Sequence, residues 1–165
     1  MNHLIDRGMA FYWGTSEWSA QMIQEARDCA HRLGLVPPYF DQTQYNMITR
    51  QRIEVEYKPL YPELGLTIWS PLGGGVLTGK YGSDPAKWDA EWRSAGRLGQ
   101  QKGDALTAAQ KVLVEKARIA EAVKPVADKL GCTVAQLALA WTLVNPVSLC
   151  LSHAPVCVRK HRGCS

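Results

Sequence analysis

The chain has 165 residues, 46% hydrophobic and 21% charged, which is enough for one globular domain with a sizeable core. Its formal net charge of +4 comes mainly from residues 151–165, which hold three bases and no acid, whereas residues 1–150 carry 16 bases against 15 acids. This nearly neutral body argues against a nucleic-acid partner, and the absence of a long apolar run argues against direct membrane insertion.

The N-terminal residues and the cysteine count predict a cytoplasmic protein. Residues 1–8 lack the basic start and apolar core of a signal peptide. Five cysteines, an odd number without a secretory signal, predict reduced thiols rather than a disulfide framework. Cys29 and Cys132 fall within helical patterns, where we expect them to be small buried apolar residues.

Apolar patterning predicts strands and helices that alternate along the chain, which is typical of parallel sheets with helical crossovers. Pro59 and Pro62 predict that the second helix is short, kinked or broken. Thr133, with Gln136 three residues later, predicts a capping box. In chain order the predicted elements are strand 9–13, helix 19–33, strand 39–46, helix 52–64, strand 66–70, a long loop over 71–105, helices 107–130 and 133–144, and a candidate fourth strand over 147–151.

Three polar clusters fall where predicted strands end, and parallel α/β folds bind ligands at the carboxyl ends of their strands. The clusters are GTSE at 14–17, DQTQYN at 41–46 and WSPLGGGVLTGKYG at 69–82. In the third cluster, the backbone N–H groups of Gly73–Gly75 and the side chain of Lys80 are candidates for holding a phosphate.

Other side chains in these clusters suit a nicotinamide dinucleotide. Ser16 and Gln42 offer hydrogen bonds that could hold a carboxamide, and Trp69 offers a flat ring for stacking. The alternative is that the glycines simply form a turn and that Trp69 fills the core, because pockets of this composition are generic.

Four stretches of the sequence resemble the aldo-keto reductase superfamily. They are GMAFYWGTSEWSAQMIQEA (8–26), QTQYNM (42–47), WSPLGGGVLTGKY (69–81) and KLGCTVAQLALAW (129–141). Within the superfamily they most resemble the cytosolic β subunits of voltage-gated potassium channels, the plant type in particular, since Glu17 stands where animal members usually have Arg. The resemblance extends over residues 1–147.

The resemblance implies an α/β fold that is part of a (β/α)8 TIM barrel. The strands resemble the fifth to seventh of the eight, so we expect an incomplete barrel over 1–147, followed by a divergent, disordered tail over 148–165. Cys and His residues in that tail lack the paired spacing of a zinc site, so no metal is expected.

The resemblance also implies NADP(H) as cofactor and assigns positions to it. By this matching, Ser16 and Gln42 hold the nicotinamide carboxamide and Trp69 stacks on the ring. The other matched positions lie along the pyrophosphate and phosphates. Glu17 occupies a position that contacts the cofactor in animal members, but those members have Arg there, so the same contact is not assured for Glu17. The full set of cofactor-binding residues is Ser16, Glu17, Gln42, Trp69, Ser70, Pro71, Leu72, Gly73, Gly74 and Lys80.

Two functional readings follow from the resemblance, with a third as the alternative. Complete family members reduce carbonyls by hydride transfer, but the Tyr, Asp and Lys of that mechanism come from the first half of the family fold, so no catalytic residue is assigned. The pair Asp41 and Tyr45 is rejected, because three residues separate them rather than four and they lie on a different strand.

The second reading is a homo-oligomeric regulatory β subunit that is peripheral to membranes through a channel α subunit. The alternative is a truncated, inactive gene product.

Overall fold

The computed structural model describes residues 1–80, 108–145 and 148–151. The described elements are four helices, four strands and three short turns of π or 3-10 helix. The helices are α1 (Asn2–Asp6), α2 (Ala20–Arg32), α3 (Ala108–Lys129) and α4 (Val134–Val144), the strands are β1 (Gly14–Ser16), β2 (Phe40–Gln44), β3 (Gly65–Trp69) and β4 (Ser148–Leu151), and the turns are Arg52–Glu56 (π), Lys58–Leu60 and Gly73–Thr78 (both 3-10).

The four strands form one parallel sheet in the order β1-β2-β3-β4, and this described part of the sheet is open rather than closed into a barrel. Ser16 pairs with Gln42, and Gln44 pairs with Trp69, so the carboxyl ends of the first three strands meet at one edge. The pairing of β3 with β4 is interrupted by a register shift between Leu66 and Thr67. The α/β class with parallel strands is therefore confirmed.

The two faces of the sheet differ in burial, as the two-residue period of a strand requires. Alternate residues of β2 and β3 are buried beneath the helical layer, whereas those between them are only partly buried. The main core consists of Ile23, Tyr45, Ile53, Tyr57, Leu60, Leu64, Leu66 and Ile68. A second cluster joins the Gly73–Thr78 turn to α3 and α4 through Val76, Leu77, Ala117, Ala120 and Ala138. Among the helices of the described residues, none combines the length and the apolar character that a membrane span requires.

Most predicted elements are confirmed to within about two residues. The helix predicted over 19–33 begins after Ser19, whose side chain accepts a hydrogen bond from the Met22 N–H, and the helix predicted over 52–64 is broken into two short turns. Thr133 and Gln136 form the expected capping box, and the candidate fourth strand is present as β4. Residues 152–165 and 81–107, which hold most of the predicted tail and loop, lie outside the described residues.

Three expectations were wrong. The first strand does not occupy 9–13 but begins at Gly14, and Met9 and Phe11 are 70% and 86% exposed. The loop predicted from residue 71 contains a 3-10 turn at Gly73–Thr78 that packs through Val76 and Leu77. Cys29 lies on an exposed position of α2 rather than in the core, and Cys132 is partly buried.

Candidate functional site

A buried carboxylate shapes the turn that follows β1. Asp41 of β2 is fully buried and accepts hydrogen bonds from the Thr15 hydroxyl at 2.6 Å and the backbone N–H groups of Glu17 and Trp18 at 3.2 and 3.4 Å. The Tyr57 hydroxyl donates to the same carboxylate at 3.0 Å. Burial, and next the charge of Asp41, raise the pKa of Tyr57, so its hydroxyl remains a protonated donor. These bonds fix the backbone from which the first predicted site residues project.

Five of the ten predicted site residues line one pocket at the carboxyl edge of the sheet. The pocket has a volume of about 570 Å³ and is lined by Ser16, Glu17, Gln42, Trp69 and Ser70. The Ser16 hydroxyl donates to the backbone carbonyl oxygen of Gln42 at 3.1 Å, which leaves the lone pairs of the Ser16 oxygen available as acceptors. Among the described residues, none hydrogen-bonds the side-chain amide of Gln42. The pocket thus combines a free amide, a hydroxyl and an indole ring.

The carboxylate of Glu17 ties the wall of this pocket together. It accepts hydrogen bonds from the Trp69 indole N–H and the Gln44 backbone N–H, each at 2.7 Å, and it forms an ion pair with Arg52. Glu17 itself adopts a left-handed backbone with φ of 59°. The hydrogen bond from Trp69 to Glu17 fixes the orientation of the indole ring, since rotation about the side-chain bonds of Trp69 would otherwise allow several orientations.

The glycine loop after β3 differs from the expectation that its N–H groups are free for a phosphate. The Gly73 N–H donates to the Ser70 carbonyl oxygen at 3.0 Å, and the Gly74 N–H donates to the Ser70 hydroxyl oxygen at 3.1 Å. The Gly75 N–H donates to the Leu72 carbonyl oxygen at 3.0 Å. Ser70 and the three glycines all have positive φ, a conformation that glycine adopts without the steric cost of a Cβ.

The remaining predicted residues do not line the pocket in the part of the chain that the structure describes. Pro71 is buried, and Leu72 packs against the cluster that joins the loop to α3 and α4. Lys80 is exposed and follows Gly79, which ends the 3-10 turn in a left-handed conformation. The structure therefore separates the predicted positions into a pocket group and a group on the following loop.

Asp41, Asn46 and Arg52 support the site. Asp41 and Asn46 lie in the DQTQYN cluster but were not among the predicted cofactor-binding residues, and Arg52 lies in none of the three clusters. Asn46 is fully buried: its amide donates to the Ser70 carbonyl oxygen at 3.0 Å, while its own oxygen accepts from two backbone N–H groups. The sequence did contain a signal for Asp41. Because Asp41 and Gln42 are adjacent in the strand FDQTQ, their side chains point to opposite faces. If Gln42 faces a pocket, Asp41 faces the core, where a buried carboxylate requires hydrogen-bond donors.

Comparison with known proteins shows the family. The family model described as Aldo/keto reductase family matches residues 1–154, and the chain belongs to this family. It is 47% identical over 148 residues to "Probable voltage-gated potassium channel subunit beta" of Arabidopsis thaliana and 48% identical over 148 residues to the protein of that name from Oryza sativa subsp. japonica. Each match covers 88% of this chain but 43% of the relative, so the chain spans less than half the length of these relatives.

Proposed function

We propose that the protein binds NADP(H) in the pocket at the carboxyl ends of β1, β2 and β3. The observation that carries this proposal is the meeting of Ser16, Gln42 and Trp69 around one pocket, in a chain that belongs to the aldo/keto reductase family. The strands that provide them are proposed to correspond to the fifth, sixth and seventh of a family barrel. The open sheet and the family membership support this assignment.

The available groups fit a nicotinamide carboxamide. The Gln42 side-chain amide, which has no partner among the described residues, can donate to the carboxamide oxygen. The Ser16 oxygen can accept from the carboxamide N–H, since its own proton is directed to the backbone carbonyl of Gln42. The Trp69 ring provides an apolar face against which a flat ring can stack. When bound, NADPH supplies hydride for carbonyl reduction. We propose the loop residues Ser70–Gly74 and Lys80 as neighbours of its phosphates.

We further propose that the whole protein is a cytoplasmic regulatory β subunit of a voltage-gated potassium channel. Two plant relatives at 47% and 48% identity carry the name of such a subunit, which supports this role. Its partner would then be a channel α subunit, its assembly a homo-oligomer and its place the cytoplasmic side of the membrane. Co-purification of the protein with the cytoplasmic domain of a plant channel α subunit tests this role, and failure of the two to associate at micromolar concentration would contradict it.

Cofactor binding is testable by titrating the full chain with NADPH while following tryptophan fluorescence and, in parallel, calorimetric heat. We expect saturable binding, with the fluorescence change lost in Trp69→Phe, which assigns the signal among the six tryptophans. Gln42→Ala removes one hydrogen bond to the carboxamide and should weaken binding about fivefold, since such a bond contributes about 1 kcal/mol.

Gln24→Ala is the matched control, because Gln24 lies on the exposed side of α2 and its amide bonds only Asp28 among the described residues. It should bind NADPH as the unmodified chain does. The proposal fails if the unmodified chain gives no saturable signal up to millimolar NADPH, or if Gln24→Ala and Gln42→Ala weaken binding equally.

A further inference from the structure

We propose that Glu17 is a positioning residue, which holds the Trp69 indole at the pocket wall and does not serve as a charged contact for the ligand. Its effect on binding rests on the function proposed above, whereas its effect on Trp69 can be measured without any ligand. The assignment follows from the contacts of its backbone, its two carboxylate oxygens and its charge.

The backbone of Glu17 is held in place by β2. Its N–H donates to the Gln42 carbonyl oxygen at 3.1 Å and to the Asp41 carboxylate at 3.2 Å. These bonds hold a left-handed conformation, with φ of 59°, that a residue with a side chain adopts only at an energetic cost. The side chain is thereby directed across the ends of the neighbouring strands.

One carboxylate oxygen then joins two strands. Oε1 accepts from the backbone N–H of Gln44 on β2 and from the indole N–H of Trp69 on β3, each at 2.7 Å. Gln44 and Trp69 are register partners at the last paired position of these strands. Hydrogen bonds to an ionised carboxylate are shorter and stronger than those between neutral groups. Glu17 therefore fixes the indole where the ladder between the strands ends.

The second carboxylate oxygen of Glu17 is also engaged by a group of the chain. This oxygen, Oε2, pairs with the Arg52 guanidinium, whose Nε lies 3.6 Å from Oε2 of Glu56. Glu56 in turn accepts from the Ala20 N–H at 3.0 Å, at the start of α2. Both oxygens of Glu17 are thus engaged by donors of the chain. This arrangement suits a structural tie better than a charge presented to a ligand.

A second pocket places Glu17 between two spaces. This pocket, of about 310 Å³, lies beside the first and is lined by Glu17, Thr43, Gln44, Thr49, Gln51, Arg52 and Glu56. Of the described residues, Glu17 alone lines both pockets. Loss of its side chain would therefore join the spaces on either side of it, and the Trp69 ring would lose the acceptor that restrains its rotation.

The test compares Glu17→Gln with Glu17→Ala in the full chain. A glutamine oxygen can still accept from Trp69 and Gln44, whereas alanine offers no acceptor. The first measurement is the ¹H–¹⁵N signal of the Trp69 indole, assigned by its loss in Trp69→Phe and recorded without ligand. The second is NADPH affinity by calorimetry. Glu25→Gln is the matched control, since Glu25 is exposed on α2 and accepts from Gln21.

We expect the Trp69 indole signal to shift strongly in Glu17→Ala, weakly in Glu17→Gln and not at all in Glu25→Gln. NADPH affinity should fall about tenfold in Glu17→Ala, as the loss of a charge-assisted hydrogen bond implies, and no more than about threefold in Glu17→Gln. Arg52→Gln, which removes the ion pair and leaves the bond to Trp69, should resemble Glu17→Gln.

Different results overturn different claims. An unchanged Trp69 signal in Glu17→Ala refutes the positioning role, whatever the affinity. Equal losses of affinity in Glu17→Gln and Glu17→Ala also refute it, because they identify the charge as a direct contact. If the unmodified chain does not bind NADPH, the proposed function fails, while the Trp69 signal still decides the role of Glu17. Should Glu17→Ala not fold, a strong shift of the indole signal in Glu17→Gln counts against the proposal.

Discussion

At the scale of single residues, Asp41 shows how a carboxylate can resemble a catalytic group and act as a structural one. Its spacing from Tyr45 led the sequence reasoning to reject a reactive pair, and the structure gives it another role. Four donors, from Thr15, Glu17, Trp18 and Tyr57, converge on its two oxygens. Because an ionised carboxylate only accepts hydrogen bonds, every one of these donors is satisfied.

Asp41→Asn should destabilise the fold by about 3 kcal/mol, because the introduced NH2 group faces donors in a buried site and leaves them unpaired. Urea denaturation followed by circular dichroism measures the loss. Asp28→Asn is the control, since Asp28 is exposed and accepts from Gln24, and it should change stability by less than about 0.5 kcal/mol. Equal effects of the two substitutions would show that the Asp41 network contributes little.

Part of the candidate site could be predicted from the sequence. Ser16, Gln42 and Trp69 were found because polar or aromatic residues at the ends of apolar runs fall at one edge of a parallel sheet. The bonds of Glu17 could not be predicted, because they depend on a side chain that reaches over three strands. The N–H groups of the glycine loop were wrongly expected to be free, because the sequence does not show which acceptors a left-handed turn brings to them.

At the scale of elements, β1 was displaced from its predicted position by tertiary pairing. Residues 9–13 are more apolar than Gly14–Ser16, yet the sheet forms with the latter, which align with Phe40, Asp41 and Gln42. The position of β1 is therefore set by the register that the buried hydrogen bond between Thr15 and Asp41 requires, and not by the higher strand propensity of residues 9–13. Longer elements such as α2 and α4 were predicted well because several turns of periodic pattern and a polar N-cap define each of them.

Gly14 is the residue that lets β1 approach β2. A Cβ at this position would lie 2.4 Å from the Phe40 carbonyl oxygen and 2.5 Å from its ring. Gly14→Ala should therefore force the strands apart and destabilise the protein by about 3 kcal/mol. In the control Gly34→Ala, no atom of the described residues beyond its chain neighbours lies within 4 Å of the new Cβ. Only the left-handed φ of 63° is unfavourable there, which costs about 1 kcal/mol. Denaturant midpoints should rank the variants in this order, and the reverse order would contradict the close approach.

At the scale of the whole molecule, α2 and the turns at Arg52–Glu56 and Lys58–Leu60 pack against the open parallel sheet through one apolar cluster. Tyr45 and Tyr57 belong to this cluster and Tyr61 packs against it, and burial is the largest cause of the raised pKa of all three. The folded state thus keeps phenol protons that the unfolded chain releases near its ordinary tyrosine pKa of about 10. The free energy of unfolding should be insensitive to these groups below that pH and fall above it.

Tyr61→Phe tests this alkaline dependence. The Tyr61 hydroxyl donates to the Ile53 carbonyl oxygen at 3.0 Å, so its removal should lower stability by about 1 kcal/mol at neutral pH. Above about pH 10, the free energy of unfolding should fall less steeply with pH than in the unmodified chain. The difference in slope should correspond to about one proton fewer released on unfolding. Urea titrations from pH 8 to 11 give both quantities. Parallel slopes would show that Tyr61 does not keep its proton in the folded state.

The glycine loop after β3 has a consequence for recognition at its surface. Its shape is defined by four left-handed residues, by acceptors on Ser70 and Leu72, and by the buried Asn46 amide, which donates to the Ser70 carbonyl oxygen. Such a loop is preorganised: the conformational entropy of ordering it is lost during folding and not when a ligand arrives. Association along this loop would therefore carry little additional entropic penalty, and its thermodynamics would reflect contacts and desolvation instead of chain ordering.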